Sequence, residues 1–113
     1  MPHYVVLVNF TDQGIRTIQE LPKRVQEANR TLAAEGVKLT RYFTLGAYDM
    51  VVIAEATSDE AQLAGLLGIG AQGNLRTATL KAFTEKEFLD VVKQLPAPAA
   101  AAPGAPRRGR ARR

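Results

Sequence analysis

The chain has 113 residues, of which 46% are hydrophobic, so it is long enough for one folded domain and too apolar to be disordered throughout. It contains no cysteine, which excludes disulfides, zinc–thiolate sites and cysteine nucleophiles. Five of its fifteen basic residues are arginines in the last seven positions, so residues 1–106 carry ten basic groups against eleven acidic ones, and the excess positive charge belongs to the C-terminal tail.

The first half of the chain predicts a strand, an interrupted helix and a second strand. Residues 4–10 form a β-branched and aromatic run that is typical of a central strand. Residues 12–35 carry apolar side chains three and four positions apart, which indicates a helix, and Pro22 predicts a break after which the main helix begins. We expect Gly36 to end that helix, and the alternation over residues 37–45 predicts a half-exposed strand.

The second half predicts a hairpin partner, a helix, a fourth strand and a last helix. Residues 49–56 are a buried strand that pairs with the preceding one, and Ser58 is a good N-cap for the helix that follows. We expect that helix to end in the glycine-rich segment 68–73. Residues 75–83 predict the fourth strand, and a capping box that starts at Thr84 opens the final helix.

This order of elements predicts an α+β, ferredoxin-like β-α-β-β-α-β sandwich with an antiparallel four-stranded sheet and an extra C-terminal helix. The first and third strands are apolar on both faces, whereas two long helices cover one face only. Each aliphatic side chain on the other face is worth about 1.5–3 kcal/mol when buried. We therefore expect a homodimer or higher even oligomer through that face; the alternative is that the final helix folds beneath the sheet.

The domain should occupy residues 1–96, and residues 97–113 should form a disordered alanine- and proline-rich linker with an arginine-rich tail. The N-terminal sequence has no basic segment before its short apolar run. It therefore predicts a cytoplasmic protein without a membrane span.

Several segments resemble the GYD domain family, small bacterial and archaeal proteins related to the dimeric α/β-barrel group. The resemblance is carried by Asn9-Phe10-Thr11, Gln13-Gly14, Pro22, Arg24, Gly46-Ala47-Tyr48-Asp49, the run from Gly73 to Leu80, and Ala82-Phe83. It implies a dimeric α/β barrel over about residues 2–95. It leaves the chemistry open, because the family is one of uncharacterised function and related barrels include cofactor-independent monooxygenases, isomerases, haem proteins and ligand-sensing modules.

Five polar residues are candidates for binding a small molecule: Asn9, Tyr48, Asp49, Arg76 and Thr77. Asp49 opens an otherwise apolar strand, and we expect it to accept hydrogen bonds from turn amides; the alternative is a general acid or base at the mouth of a cleft. Arg76 either clamps an anionic ligand or pairs with Asp49 across the sheet. For Asn9 we expect a capping role at the start of the following helix.

Two further motifs lack the context that their chemistry needs. His3 is the sole histidine, and one histidine without cysteines argues against a first-row metal site. His3 is nevertheless a candidate base, as an alternative to Asp49. Residues 68–73 spell G-x-G-x-x-G, but a helix precedes them and a strand follows, the reverse of the order in a dinucleotide site. We therefore expect no cofactor.

The leading hypothesis from the sequence is a small-molecule-binding homo-oligomer without demonstrated catalysis. One alternative is a cofactor-independent isomerase or monooxygenase that acts on a small organic acid, with Asp49 or His3 as the base. The other is an adaptor whose arginine-rich tail binds nucleic acid or an acidic partner protein.

Overall fold

A computed structural model describes residues 1–98 of the chain, and within them the fold is α+β. The strands are β1 (His3–Phe10), β2 (Lys38–Phe43), β3 (Met50–Glu55) and β4 (Leu75–Ala82), and the helices are α1 (Asp12–Arg16), α2 (Leu21–Ala34), α3 (Asp59–Ala71) and α4 (Glu85–Lys93). A short 3-10 turn, Ile18–Glu20, joins α1 to α2. The linker and tail predicted for residues 97–113 lie outside the described residues from position 99 onward.

The four strands form one open sheet in the order β2-β3-β1-β4, and each neighbouring pair is antiparallel. This confirms the predicted α+β class with a four-stranded antiparallel sheet. The succession of elements and the strand order also agree with the ferredoxin-like arrangement.

The predicted break in the long helical pattern is confirmed. Pro22 lies in the first turn of α2, where its missing N–H group would have no helical partner in any case. Gly36 follows the helix with a φ of +79°, a left-handed conformation that favours glycine.

The expected end of α3 in the glycine-rich segment is confirmed, but it falls later in that segment than its first glycine. The helix continues through Gly68 and Gly70 to Ala71, and the left-handed residue that follows it is Gly73, with a φ of +82°. Each interior glycine lowers helix stability by about 1 kcal/mol relative to alanine. Packing of Leu66 and Ile69 against the core offsets this cost, so tertiary contacts carry the helix through its weakest stretch.

The core lies between one face of the sheet and helices α2 and α3. The strand register places Val6 opposite Val52 and Val8 opposite Met50, so these side chains share the covered face. The buried apolar residues are Tyr4, Val6, Val8, Leu32, Val37, Met50, Val52, Ala54 and Ala56.

The opposite side of the sheet, called the open face here, has the aliphatic residues Val5, Leu7, Val51, Ile53 and Leu80 at its centre. Within residues 1–98 no layer of the fold covers it. Ile53 is 43% exposed and Leu80 is 55% exposed, and the other three side chains are half-buried. The expected uncovered apolar surface is therefore present.

Helix α4 does not provide the missing layer. It begins with the predicted capping box, in which Thr84 and Glu87 each accept a hydrogen bond from the other's backbone amide. None of its residues is buried, and Phe88, Val91 and Val92 are exposed along one side. No helix in the described part of the chain is long and apolar enough to cross a membrane.

Candidate functional site

A cleft of about 280 Å³ opens between the covered face of the sheet and helices α2 and α3. Its walls are mainly apolar and include Val8, Val25, Val52 and Ile69. Small-molecule sites are typically concave, largely apolar and about 300–1,000 Å³ in volume, with a few polar groups that orient the ligand. The cleft lies at the lower end of that range.

The cleft exists because α2 and α3 touch at one point and separate beyond it. At Gly65 a Cβ atom would come within 2.8 Å of Cδ2 of Leu32, so the two helices are in close contact there. One turn further along α3, a Cβ at Gly68 would meet no atom within 4 Å. Gly68 and Ala28 both line the cleft, so small side chains on both helices leave room between them.

Arg24 contributes a half-buried cationic group to the lining of the cleft. Its Nη2 donates hydrogen bonds to Oγ1 of Thr17 and, at 3.4 Å, to Oε1 of Glu20. Its Nη1 is buried and has no hydrogen-bond partner within residues 1–98. A buried donor normally has a partner, so the guanidinium of Arg24 keeps one unused donor, which water does not reach in this conformation.

Arg41 is a second half-buried arginine in the lining. It lies opposite Val52 in the sheet and therefore on the covered face, and its Nη1 donates to Oδ1 of Asn29 at 2.8 Å. Burial lowers the pKa of Arg41, but an arginine still carries its charge at neutral pH.

The remaining polar lining residues include a buried amide and two exposed acids. Gln62 is only 6% exposed, and its side chain makes no hydrogen bond to another residue of the described chain. The acidic residues Glu27 and Glu35 are exposed to solvent. Positive charge therefore lies inside the cleft, and negative charge lies where water can solvate it.

Of the five predicted ligand-binding residues, Thr77 lines the cleft, whereas Asn9, Tyr48, Asp49 and Arg76 do not. Oδ2 of Asp49 accepts a hydrogen bond of 2.9 Å from the backbone amide of Phe10. Within residues 1–98, Arg76 forms no ion pair with Asp49; in the sheet it lies opposite Asn9 instead. The carboxylate is thus engaged by the end of β1, and pairing with Arg76 does not occur.

The segment from Gly46 to Asp49 builds the turn between β2 and β3. Gly46 has a φ of +116°, which favours glycine. Thr44 donates from its side chain to the carbonyl oxygen of Tyr48 at 2.6 Å and from its amide to that of Asp49 at 2.9 Å. These bonds give the motif a structural role in closing the hairpin.

The predicted cap at Asn9 is wrong, because β1 continues to Phe10 and the cap of α1 is Thr11. Oγ1 of Thr11 accepts a hydrogen bond from the amide of Gly14 at 3.0 Å and donates one to the carbonyl oxygen of Gly73 at 2.6 Å. A Cβ at Gly14 would clash with the backbone of Asn74. Several residues that carry the family resemblance therefore fasten α1 to the loop before β4.

The two candidate bases lie at opposite ends of β1. Nε2 of His3 lies 3.7 Å from Oε2 of Glu55, whereas Asp49 is held at Phe10. Strand geometry separates these ends by about 20 Å, so His3 and Asp49 do not share a site. The described residues contain no cluster of three or more side chains suited to hold a metal ion.

A polar cluster fastens the N-terminal turn of α3 to the sheet. The hydroxyl of buried Tyr4 donates to Oδ1 of Asp59, and Nζ of Lys81 donates to Oδ2 at 2.9 Å. Burial, together with the hydrogen bond to Asp59, raises the pKa of Tyr4 to about 12. The same hydrogen bonds from Tyr4 and Lys81 lower the pKa of Asp59.

Comparison with known proteins adds a family and a relative. The GYD domain model matches residues 4–92. The glutamine synthetase and cystathionine beta-lyase binding protein of Thermus thermophilus is 32% identical over 95 residues, which are 82% of this chain and the whole of that protein. No solved structure matches the chain significantly.

Proposed function

We propose that this chain, which belongs to the GYD domain family, acts by binding other molecules and catalyses no reaction of its own. The open face and the exposed side of α4 support the first part of this proposal. The second part is supported by the candidate bases, since Asp49 is engaged by a backbone amide and His3 lies near Glu55 at the far end of β1.

Self-association through the open face is the first element of this function, and the exposed aliphatic side chains at its centre are the observation that carries it. Ile53 and Leu80 each gain about 1.5–3 kcal/mol when a partner surface removes them from water. Polar residues border the apolar centre: His3 and Glu55 at one end of the sheet, and Asn9 and Arg76 at the other. Two copies stacked across these faces form a dimeric α/β barrel.

Sedimentation of the full chain at micromolar concentration tests this element. We expect a mass of two subunits or a higher even number, because a symmetric partner is the commonest cover for such a surface. A well-behaved monomer across the micromolar range would overturn self-association while leaving the other elements standing.

Binding of a partner enzyme is the second element, and α4 is the proposed surface. Phe88, Val91 and Val92 follow the i, i+3, i+4 spacing with which an amphipathic helix enters a groove on another protein. The Thermus relative is named for binding a glutamine synthetase and a cystathionine beta-lyase. We propose that enzymes of these two kinds are the partners of this chain.

Biolayer interferometry with the host's purified glutamine synthetase and cystathionine beta-lyase tests this element. We expect at least one enzyme to bind the full chain and Phe88→Glu to weaken that binding strongly. Leu45→Glu is the matched control, because Leu45 is equally apolar and fully exposed but lies on the β2–β3 loop. If neither enzyme binds, partner-enzyme binding is excluded.

Small-molecule binding in the cleft is the second candidate function, and the cleft itself is the observation that favours it. In this proposal Thr77 contributes to the ligand site, whereas Asn9, Tyr48, Asp49 and Arg76 serve the hairpin and the sheet end. Native mass spectrometry of protein purified from its host should detect a bound small molecule.

The adaptor alternative concerns the arginine-rich tail. Retention on nucleic acid is compared between the full chain and a variant that lacks residues 97–113. Loss of retention in the shorter variant would support the adaptor, and unchanged retention would exclude it.

A further inference from the structure

We propose that the cleft binds an amphipathic organic anion, with a carboxylate held by Arg24 and an apolar body between α2, α3 and the sheet. This inference rests on the proposed small-molecule site and names the class of its ligand. The chemistry of the head and the shape of the cleft support it separately.

The state of Arg24 defines the head of the ligand. A guanidinium presents its donors as a planar fork that matches a carboxylate. Thr17 and Glu20 engage Nη2 alone, and Nη1 remains buried without a partner in the described chain. A small shift of this flexible side chain would bring Nη1 to a ligand. An uncharged acceptor would then satisfy the hydrogen bond, but a carboxylate would also pair with a half-buried cation whose present ion partner, Glu20, is solvent-exposed.

The placement of charge around the cleft favours an anion in the same way. Both arginines of the lining, Arg24 and Arg41, are half-buried, and Asn29 is a neutral partner for Arg41. The lining acids Glu27 and Glu35 are exposed, so solvent screens their charges. Solvent therefore screens the charges of the two arginines less than those of the two acids. A negative head inside the cleft is attracted by the arginines more strongly than it is repelled by the acids.

The shape of the cleft defines the body of the ligand. Val8, Val52 and Ile69 supply apolar walls from the sheet and from α3. Gly68 lowers the stability of α3 relative to alanine. A Cβ atom there would meet no atom within 4 Å, so close packing within this chain does not explain the glycine, whereas open space for a ligand does. Gly70 has equally open surroundings but does not line the cleft, which makes it the matched control for Gly68.

Octanoate and octanamide are suitable probes, because they share an alkyl chain and differ in the charge of the head. We expect octanoate to bind the full chain, as followed by calorimetry and amide chemical shifts. We expect octanamide to bind at least about tenfold more weakly, because hydrogen bonds to charged groups are stronger than neutral ones.

Two pairs of variants assign this difference to residues. Arg24→Gln should lower octanoate affinity at least about tenfold and octanamide affinity much less, whereas Arg16→Gln, an exposed arginine of α1, should change neither. Gly68→Leu should abolish binding of both probes by occupying the space of the alkyl chain. Gly70→Leu should leave both unchanged.

The outcomes separate this inference from the proposed site. If both probes bind equally, or if Arg24→Gln leaves octanoate affinity unchanged, the anion proposal is overturned and the small-molecule cleft stands. If neither probe binds, the cleft is excluded as a ligand site and the anion proposal fails with it. Should Arg24→Gln not fold, the comparison of the two probes on the native chain decides the matter.

Discussion

The two faces of the sheet have similar side chains and opposite surroundings. On β1, Val6 and Val8 are buried, whereas their neighbours Val5 and Leu7 lie on the open face. Connectivity causes the difference: β1 and β2 are parallel with β3 between them, and β3 and β4 are parallel with β1 between them. Because crossovers between parallel strands are right-handed, both helices lie on the same side of the sheet.

The faces also differ in what they lack. The open face lacks a cover within residues 1–98, and we propose that another protein chain supplies it. The covered face has its helices, but they separate beyond Gly65 and leave a cleft of about 280 Å³. A gap of that size suits a small molecule. We therefore propose two kinds of binding for the same sheet, one on each side.

Charging the open face should produce the largest effect. We expect the double variant Ile53→Asp and Leu80→Asp to dissociate the proposed dimer, at a cost of about 3–6 kcal/mol in association free energy for two buried aliphatic side chains. Sedimentation equilibrium measures it. Leu63→Asp with Leu67→Asp is the control, because these exposed leucines lie on α3. Dissociation by the control pair alone would place the interface on α3.

Truncating neighbouring residues of β3 compares the two faces directly. Met50→Ala should lower the free energy of unfolding by about 2–5 kcal/mol, because Met50 is buried in the core. Val51→Ala should cost the isolated monomer clearly less, since Val51 lies on the open face. Chemical denaturation at submicromolar concentration distinguishes the two. Equal losses would mean that the open face is covered within a single chain.

Alkaline pH should lower the free energy of unfolding, because Tyr4 on the covered face loses its proton. The folded chain holds the pKa of Tyr4 near 12, above the ordinary value of 10.0, so the unfolded chain loses this proton first. Stability is then complete below pH 10 and falls as the pH rises towards about 12. Denaturation between pH 9 and 12 should show this fall, and Tyr4→Phe should reduce it. Tyr48→Phe, at an exposed tyrosine, should leave it in place.

Alanine at the open positions of α3 should produce the smallest effect. Gly68→Ala and Gly70→Ala should each raise the free energy of unfolding by about 0.5–1 kcal/mol, because neither methyl group meets an obstacle. Thermal unfolding checks both variants. Destabilisation by Gly68→Ala would show that the helices close over the cleft.

Local signals made much of the fold predictable. The break at Pro22 and the capping box at Thr84 act within one helical turn, so a short stretch of sequence contains all of their physics. The course of α3 was harder to predict. Leu63 and Leu67 are exposed, whereas the residues that α3 turns to the core are Gln62, Gly65, Leu66 and Ile69.

The site was less predictable than the fold, because its polar groups occupy apolar positions of the pattern. Arg24 lies among the apolar residues of α2, and Arg41 shares its strand phase with Leu39. A charged residue in such a phase was an available signal for both arginines. Gln62 gave no comparable signal, since its burial depends on how α3 packs in three dimensions.

The strand order has a consequence for how copies of this chain meet. With β2 and β4 at the margins of the sheet, two rows of backbone donors and acceptors remain open to strand addition. Both margins carry an exposed basic residue, Lys38 on β2 and Arg76 on β4. Two such margins repel each other, which disfavours growth into a continuous ribbon and leaves stacking as the route to a closed assembly.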